Sequence, residues 1–115
     1  MQLGRAVLGA LGSHGFDLLH WLVGPTRSLR AQLGTAIGER PLPDGSGRMG
    51  PVTAEDIALV QLELEGADGR LVPAQLNLAS VTRPGRGCWL EVYGREGTAV
   101  LAGSHRTWRC WREGE

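Results

Sequence analysis

Lysine is absent from this 115-residue sequence: all 12 basic residues are arginines, and 12 acidic residues bring the formal charge to zero. The first absence removes a Schiff-base lysine, a phosphate-loop lysine and a lysine proton donor from any mechanism carried by this chain alone. The charge balance leaves no long-range field to gather nucleic acid or anionic lipid, so neither partner is expected. Cysteine is scarce too. Cys88 and Cys110 are the two present, without C-x-x-C spacing, and they read as reduced strand residues rather than a disulfide framework or zinc site. No apolar run reaches the roughly 20 residues of a membrane helix, and the segment after Met1 lacks the charged-then-apolar order of a signal peptide. The expectation is a soluble, cytoplasmic protein. Aromatic residues are one Phe, one Tyr and four Trp. A few large side chains therefore carry much of the apolar area, and an uncovered sheet face bearing them would invite subunit pairing.

What is present is glycine and alternation. A chain of this length can bury a core as a single domain over residues 1–115, while 18 glycines and 6 prolines predict short elements joined by many turns. From Gly9 to Gly24, Leu11, Leu18, Leu19 and Leu22 recur at three- and four-residue spacing, with Gly24-Pro25 as a stop, which predicts one helix. Arg27 to Ile37 alternates as a strand with Leu29, Ala31, Leu33 and Thr35 on a buried face. Gly38 to Pro51, rich in Gly and Pro, reads as a long mobile loop.

Asp56–Glu65 and Arg70–Ser80 alternate as an antiparallel pair across Gly66-Ala67-Asp68-Gly69, where glycine supplies the positive dihedrals of a hairpin turn. A loop over Thr82–Gly87 then leads to strands at Cys88–Tyr93, Thr98–Ala102 and Arg106–Arg112, the first two joined at Gly94–Gly97. One helix followed by five to six strands argues an α+β fold: an open, predominantly antiparallel sheet with the N-terminal helix on one face. The other face would meet water or a second subunit.

The chemically informative stretch is Gly12-Ser13-His14-Gly15-Phe16-Asp17. On an α-helix at 100° per residue, Ala10, His14, Asp17 and Trp21 share one stripe. An imidazole beside a carboxylate can serve as a general acid or base, because its charge changes near neutral pH and the carboxylate fixes its tautomer. The same pair can equally be structural, with Asp17 satisfying a helix terminus and His14 hydrogen-bonded in the core. His20 points away from the stripe, which argues against a metal held by His14, Asp17 and His20. The glycines at 9, 12 and 15 do not form the dinucleotide fingerprint, since no strand precedes them.

The run Gly9–Gly24 resembles the segment that opens the second domain of the Gfo/Idh/MocA oxidoreductases, the glucose-fructose oxidoreductase and inositol dehydrogenase family. Gly12 matches the family's glycine, His14 its histidine, Asp17 the aspartate after it, and Trp21-Leu22-Val23-Gly24 its end. Glu55-Asp56-Ile57-Ala58-Leu59 is similar to the family's acidic entry into a central strand, and Glu91–Thr98 to its strand, glycine turn, strand signature. In that family a first, Rossmann-type domain binds NAD or NADP and supplies a lysine. The second supplies the histidine of the proton relay.

The resemblance therefore implies His14 as the catalytic residue, with Asp17, Gly12 and Ser13 on the substrate side. It further implies a sugar or polyol substrate, a missing Rossmann domain as partner, and no cofactor bound to this chain itself. Ala10 stands where the family commonly has aspartate, so the relay lacks that carboxylate. The expected function is the substrate and dimerisation domain of a nicotinamide-dependent oxidoreductase, a homodimer through its sheet and inactive alone. A stand-alone binding or assembly module is the alternative. An independent hydrolase or isomerase built on His14 fits less well, because no serine or cysteine nucleophile has a convincing neighbouring base.

Overall fold

The computed structural model describes residues 6–82 and 87–102, and the backbone of residues 108–112. The expected loop Thr82–Gly87 falls outside these residues at 83–86, as do the first two positions of the strand expected over Arg106–Arg112. The chain divides into two compact units, residues 1–81 and 82–115.

In the first unit a π-helical turn, Leu8–Gly12, runs directly into helix α1, Ser13–Leu22. Then come β1 (Thr26–Gly34), β2 (Glu39–Pro41), β3 (Met49–Pro51), β4 (Ile57–Glu65) and β5 (Leu71–Ala79). The second unit holds β6 (Trp89–Tyr93), β7 (Gly97–Ala102) and β8 (Trp108–Arg112). All pairings are antiparallel, in the orders β1-β4-β5, β2-β3 and β6-β7-β8. The α+β class stands as expected. Eight strands are described where five to six in one open sheet were expected, and they form three sheets.

The additional two strands come from the segment read as a mobile loop. There Glu39 pairs with Pro51, Arg40 with Gly50 and Pro41 with Met49, and proline is tolerated because an isolated ribbon has outward edges that need no amide. At its tip the Asp44 carboxylate accepts the Ser46 amide and an Arg48 guanidinium hydrogen bond, while Leu42 N–H donates to Arg48 O at 2.8 Å. The Asp44 carboxyl lies below its usual range because the Ser46 hydroxyl and amide bond its charged form. Turn residues that suggested looseness instead close a tight hairpin.

Strand β4 builds the core. Its Ala58, Val60, Leu62 and Leu64 are buried while Leu59, Gln61 and Glu63 face outward, the period of two expected for a half-covered strand. Register places Leu78, Leu76 and Ala74 of β5 beside Ala58, Val60 and Leu62. Over this pair sits α1, and it approaches closely at its glycines. A Cβ added at Gly12 would come within 3.2 Å of Leu78 Cδ1, and one at Gly15 within 3.1 Å of Leu76 Cδ1.

Strand β1 differs from expectation. Leu29, Ala31 and Leu33 lie opposite Leu62, Val60 and Ala58 and so on the helix-side face, yet Leu29 and Leu33 remain 50% and 51% exposed. The reason is geometric: the glycine contacts draw the helix over β5 and β4, leaving the β1 row bare. Among the described residues no helix is long and apolar enough to cross a membrane.

Two substitutions test this account by urea unfolding. Leu64→Ala removes one of the most completely buried side chains and should cost about 2–5 kcal/mol. Leu59→Ala, on the opposite, 45% exposed face, should cost less than about 1 kcal/mol. At Gly24 the backbone has φ 151° and an added Cβ would lie 1.8 Å from Glu65 O, so Gly24→Ala should destabilise by roughly 2–4 kcal/mol.

Candidate functional site

The site residues are laid out by the junction between the π turn and α1. The Ser13 amide donates to Leu8 O across five residues, so one more residue is accommodated than in an α turn. The stripe drawn at 100° per residue therefore does not extend back through this junction, and Ala10 is not stacked one α-helical turn behind His14. From Ser13 onward the helix is regular. His14, Asp17 and Trp21 keep their shared stripe there, because spacings of three and four residues return to the same face.

His14 and Asp17 are both exposed, and Trp21 is 78% exposed. Among the described residues no hydrogen bond or ion pair joins His14 to Asp17. The reading in which His14 is hydrogen-bonded in the core is thus set aside by its exposure. Ser13 is exposed as well, with its hydroxyl donating to Gly9 O at 2.9 Å. Gly12 is buried on the sheet side against Leu78 and Leu8. The helix consequently offers an outward stripe of imidazole, carboxylate and indole, while its glycines serve the inward contact.

The two ends of α1 are fixed by polar contacts. At the start of the π turn, Val7 N–H donates to Glu55 O at 3.0 Å and Leu8 N–H to Glu55 Oε1 at 3.2 Å. In the last turn of the helix, His20 Nε2 lies 2.7 Å from Thr26 Oγ1, and its ring sits against Phe16 with centroids 6.4 Å apart. His20 is thereby engaged with the start of β1, and among the described residues no group of three His, Cys, Asp or Glu side chains could hold a metal. Nor do these residues fit a dinucleotide. The glycine-rich run belongs to the π turn and α1, with Gly12 and Gly15 against leucine side chains, rather than to a loop whose amides could face a pyrophosphate.

Reading by period alone missed one constellation. Along one face of β6, Trp89 Nε1 donates to Glu91 Oε1 at 2.6 Å and the Tyr93 hydroxyl donates to Glu91 Oε2. The Tyr93 phenol is raised above its usual value because Glu91 holds its proton. The signal was present in the i, i+2, i+4 spacing of these residues, which a strand places on one side. Cys88, just before them, is free and exposed.

Over residues 1–100 the sequence matches the family model described as the GFO/IDH/MocA C-terminal domain. An uncharacterized oxidoreductase of Synechocystis sp. is 53% identical over 100 residues, a stretch covering 87% of this chain and 26% of that relative. The chain thus spans about a quarter of the length of the curated relative it matches. Since the family model covers most of the chain, and the helix and paired strands occupy the order read from the sequence, the chain belongs to the Gfo/Idh/MocA oxidoreductases as a C-terminal domain of that family.

Proposed function

We propose that this chain is the substrate-side domain of a nicotinamide-dependent sugar or polyol oxidoreductase, and that it works only beside a nucleotide-binding domain outside these residues. The observation that carries this reading is the outward stripe on α1, where His14 and Asp17 stand exposed on a helix whose other side is anchored to β5. A general base must reach the proton it removes, and an imidazole on the outer face of a rigid helix is open to a substrate held from outside.

In this scheme His14 accepts or returns the proton of a substrate hydroxyl. Asp17, one turn along, orients the imidazole and stabilises its charged form, and Ser13 adds a hydroxyl at the same edge. Gly12 contributes by letting the helix sit close to the sheet. The cofactor, NAD or NADP, supplies hydride chemistry from the other domain. Lysine must also come from there, since none exists in this chain. With alanine at position 10, Asp17 is the carboxylate nearest His14 along the stripe. The half-exposed Leu29 and Leu33 on β1 support pairing of this domain with another surface, a second subunit among them, because apolar rows of this kind are ordinarily covered. They equally favour the alternative of a binding or assembly module, which the encoded neighbour decides: a strand followed by G-x-G-x-x-G in the same reading frame belongs to the oxidoreductase.

The test is nicotinamide reduction by the full-length protein with a panel of sugars and polyols. His14→Ala should lower kcat by about 10²–10⁴ with little change in KM and with folding intact, and Asp17→Asn should lower it less. Unchanged turnover in His14→Ala would remove this histidine from the mechanism.

A further inference from the structure

Asp56 is the one charged side chain buried in the core of the first unit among the described residues, at 4% exposure, and the proposed chemistry does not use it. Its two carboxylate oxygens accept hydrogen bonds from consecutive backbone amides, Ala36 N–H to Oδ1 at 2.7 Å and Ile37 N–H to Oδ2 at 2.9 Å. These amides form the turn where the chain leaves β1 and enters the β2–β3 hairpin. The Asp56 backbone is fixed separately, its amide donating to Gly34 O and its carbonyl accepting Ser80 N–H, each at 3.0 Å. The backbone bonds hold β4 between β1 and β5. Of Asp56, the side chain is the part that holds the turn.

Beyond that turn the hairpin has its own closure. Val52 N–H donates to Gly38 O and Leu42 N–H to Arg48 O, both at 2.8 Å, and the β2–β3 ladder lies between them. Residues 38–52 therefore form an internally paired arm. Its attachment to the sheet runs through Asp56, together with Thr35 Oγ1 donating to Ala54 O at 3.2 Å. We propose that the Asp56 carboxylate is a latch that holds this arm in one orientation, and that on losing its charge the arm swings as a paired unit while the sheet β1-β4-β5 stays folded.

The surrounding charges agree with this. Two amide bonds, with the Arg40 guanidinium of β2 adding a smaller effect, keep the Asp56 carboxyl below the usual aspartate value of 3.8. Glu55, beside it in the chain, points its carboxylate instead at the Leu8 amide. Ser80, at the end of β5, brings no charge. Because the folded carboxyl is the stronger acid, the latch is complete above pH 3.8 and is lost as pH falls through the lowered value.

Amide hydrogen exchange on the full chain, corrected for intrinsic rates, tests the latch. In Asp56→Asn the Ala36 and Ile37 amides should exchange about tenfold faster or more, as loss of a charge-assisted bond implies. Leu42, Val52 and the amides of β4 should keep their protection. Should the asparagine variant fail to fold, the unaltered chain taken stepwise downward from pH 3.8 until the sheet itself opens gives the same readout, with positions 36 and 37 released before β4. Unchanged protection at 36 and 37, or a loss spread evenly through arm and sheet, would overturn the proposal.

Discussion

The close approach of α1 to β5 is the contact on which the first unit depends. It is made possible by two missing side chains, since Cβ atoms at Gly12 and Gly15 would press on Leu78 and Leu76. With the helix seated there, the β4 row from Ala58 to Leu64 is sealed from water, and apolar burial supplies most of the favourable free energy. The same seating leaves Leu29 and Leu33 of β1 half exposed. One packing decision thus determines which part of the helix-side face forms the core and which part stays exposed.

That contact also determines which side chains of the helix face outward. A helix has one inward side, and here Gly12, Gly15 and Leu19 occupy it, so His14, Asp17 and Trp21 are directed outward by the period of the helix. The π turn ahead of Ser13 absorbs an extra residue. It lets Val7 and Leu8 reach Glu55 without rotating α1 off its glycine contacts. The imidazole therefore rests on a support tied at Glu55 before it and at Thr26 after it.

Polar side chains do the corresponding work where there is little apolar surface to bury. Asp56 replaces missing strand partners at the turn after β1, and Asp44 with Ser46 and Arg48 closes the hairpin tip. Carboxylates bonded to backbone amides are worth more than neutral pairs, which is how a segment dense in glycine and proline acquires definite structure. In the second unit Glu91 does the same for Trp89 and Tyr93, fixing two large exposed rings along β6.

The strands of β4 and β5, the hairpin turn between them with Gly69 at φ 80°, and the helix stop ahead of Gly24-Pro25 were all legible in the sequence. Each rests on a local signal, a period of two or 3.6 or a glycine dihedral, that neighbouring residues carry by themselves. His14 and Asp17 were legible as neighbours for the same reason, their spacing of three. Other features depended on residues distant in the chain. The exposure of Leu29 follows from where the glycines at 12 and 15 meet β5, the holding of the turn at Ala36 and Ile37 from a carboxylate at position 56, and the anchoring of Val7 and Leu8 ahead of the helix from Glu55. No periodicity at those sites encodes such contacts, because the partners come together only when the sheet has formed.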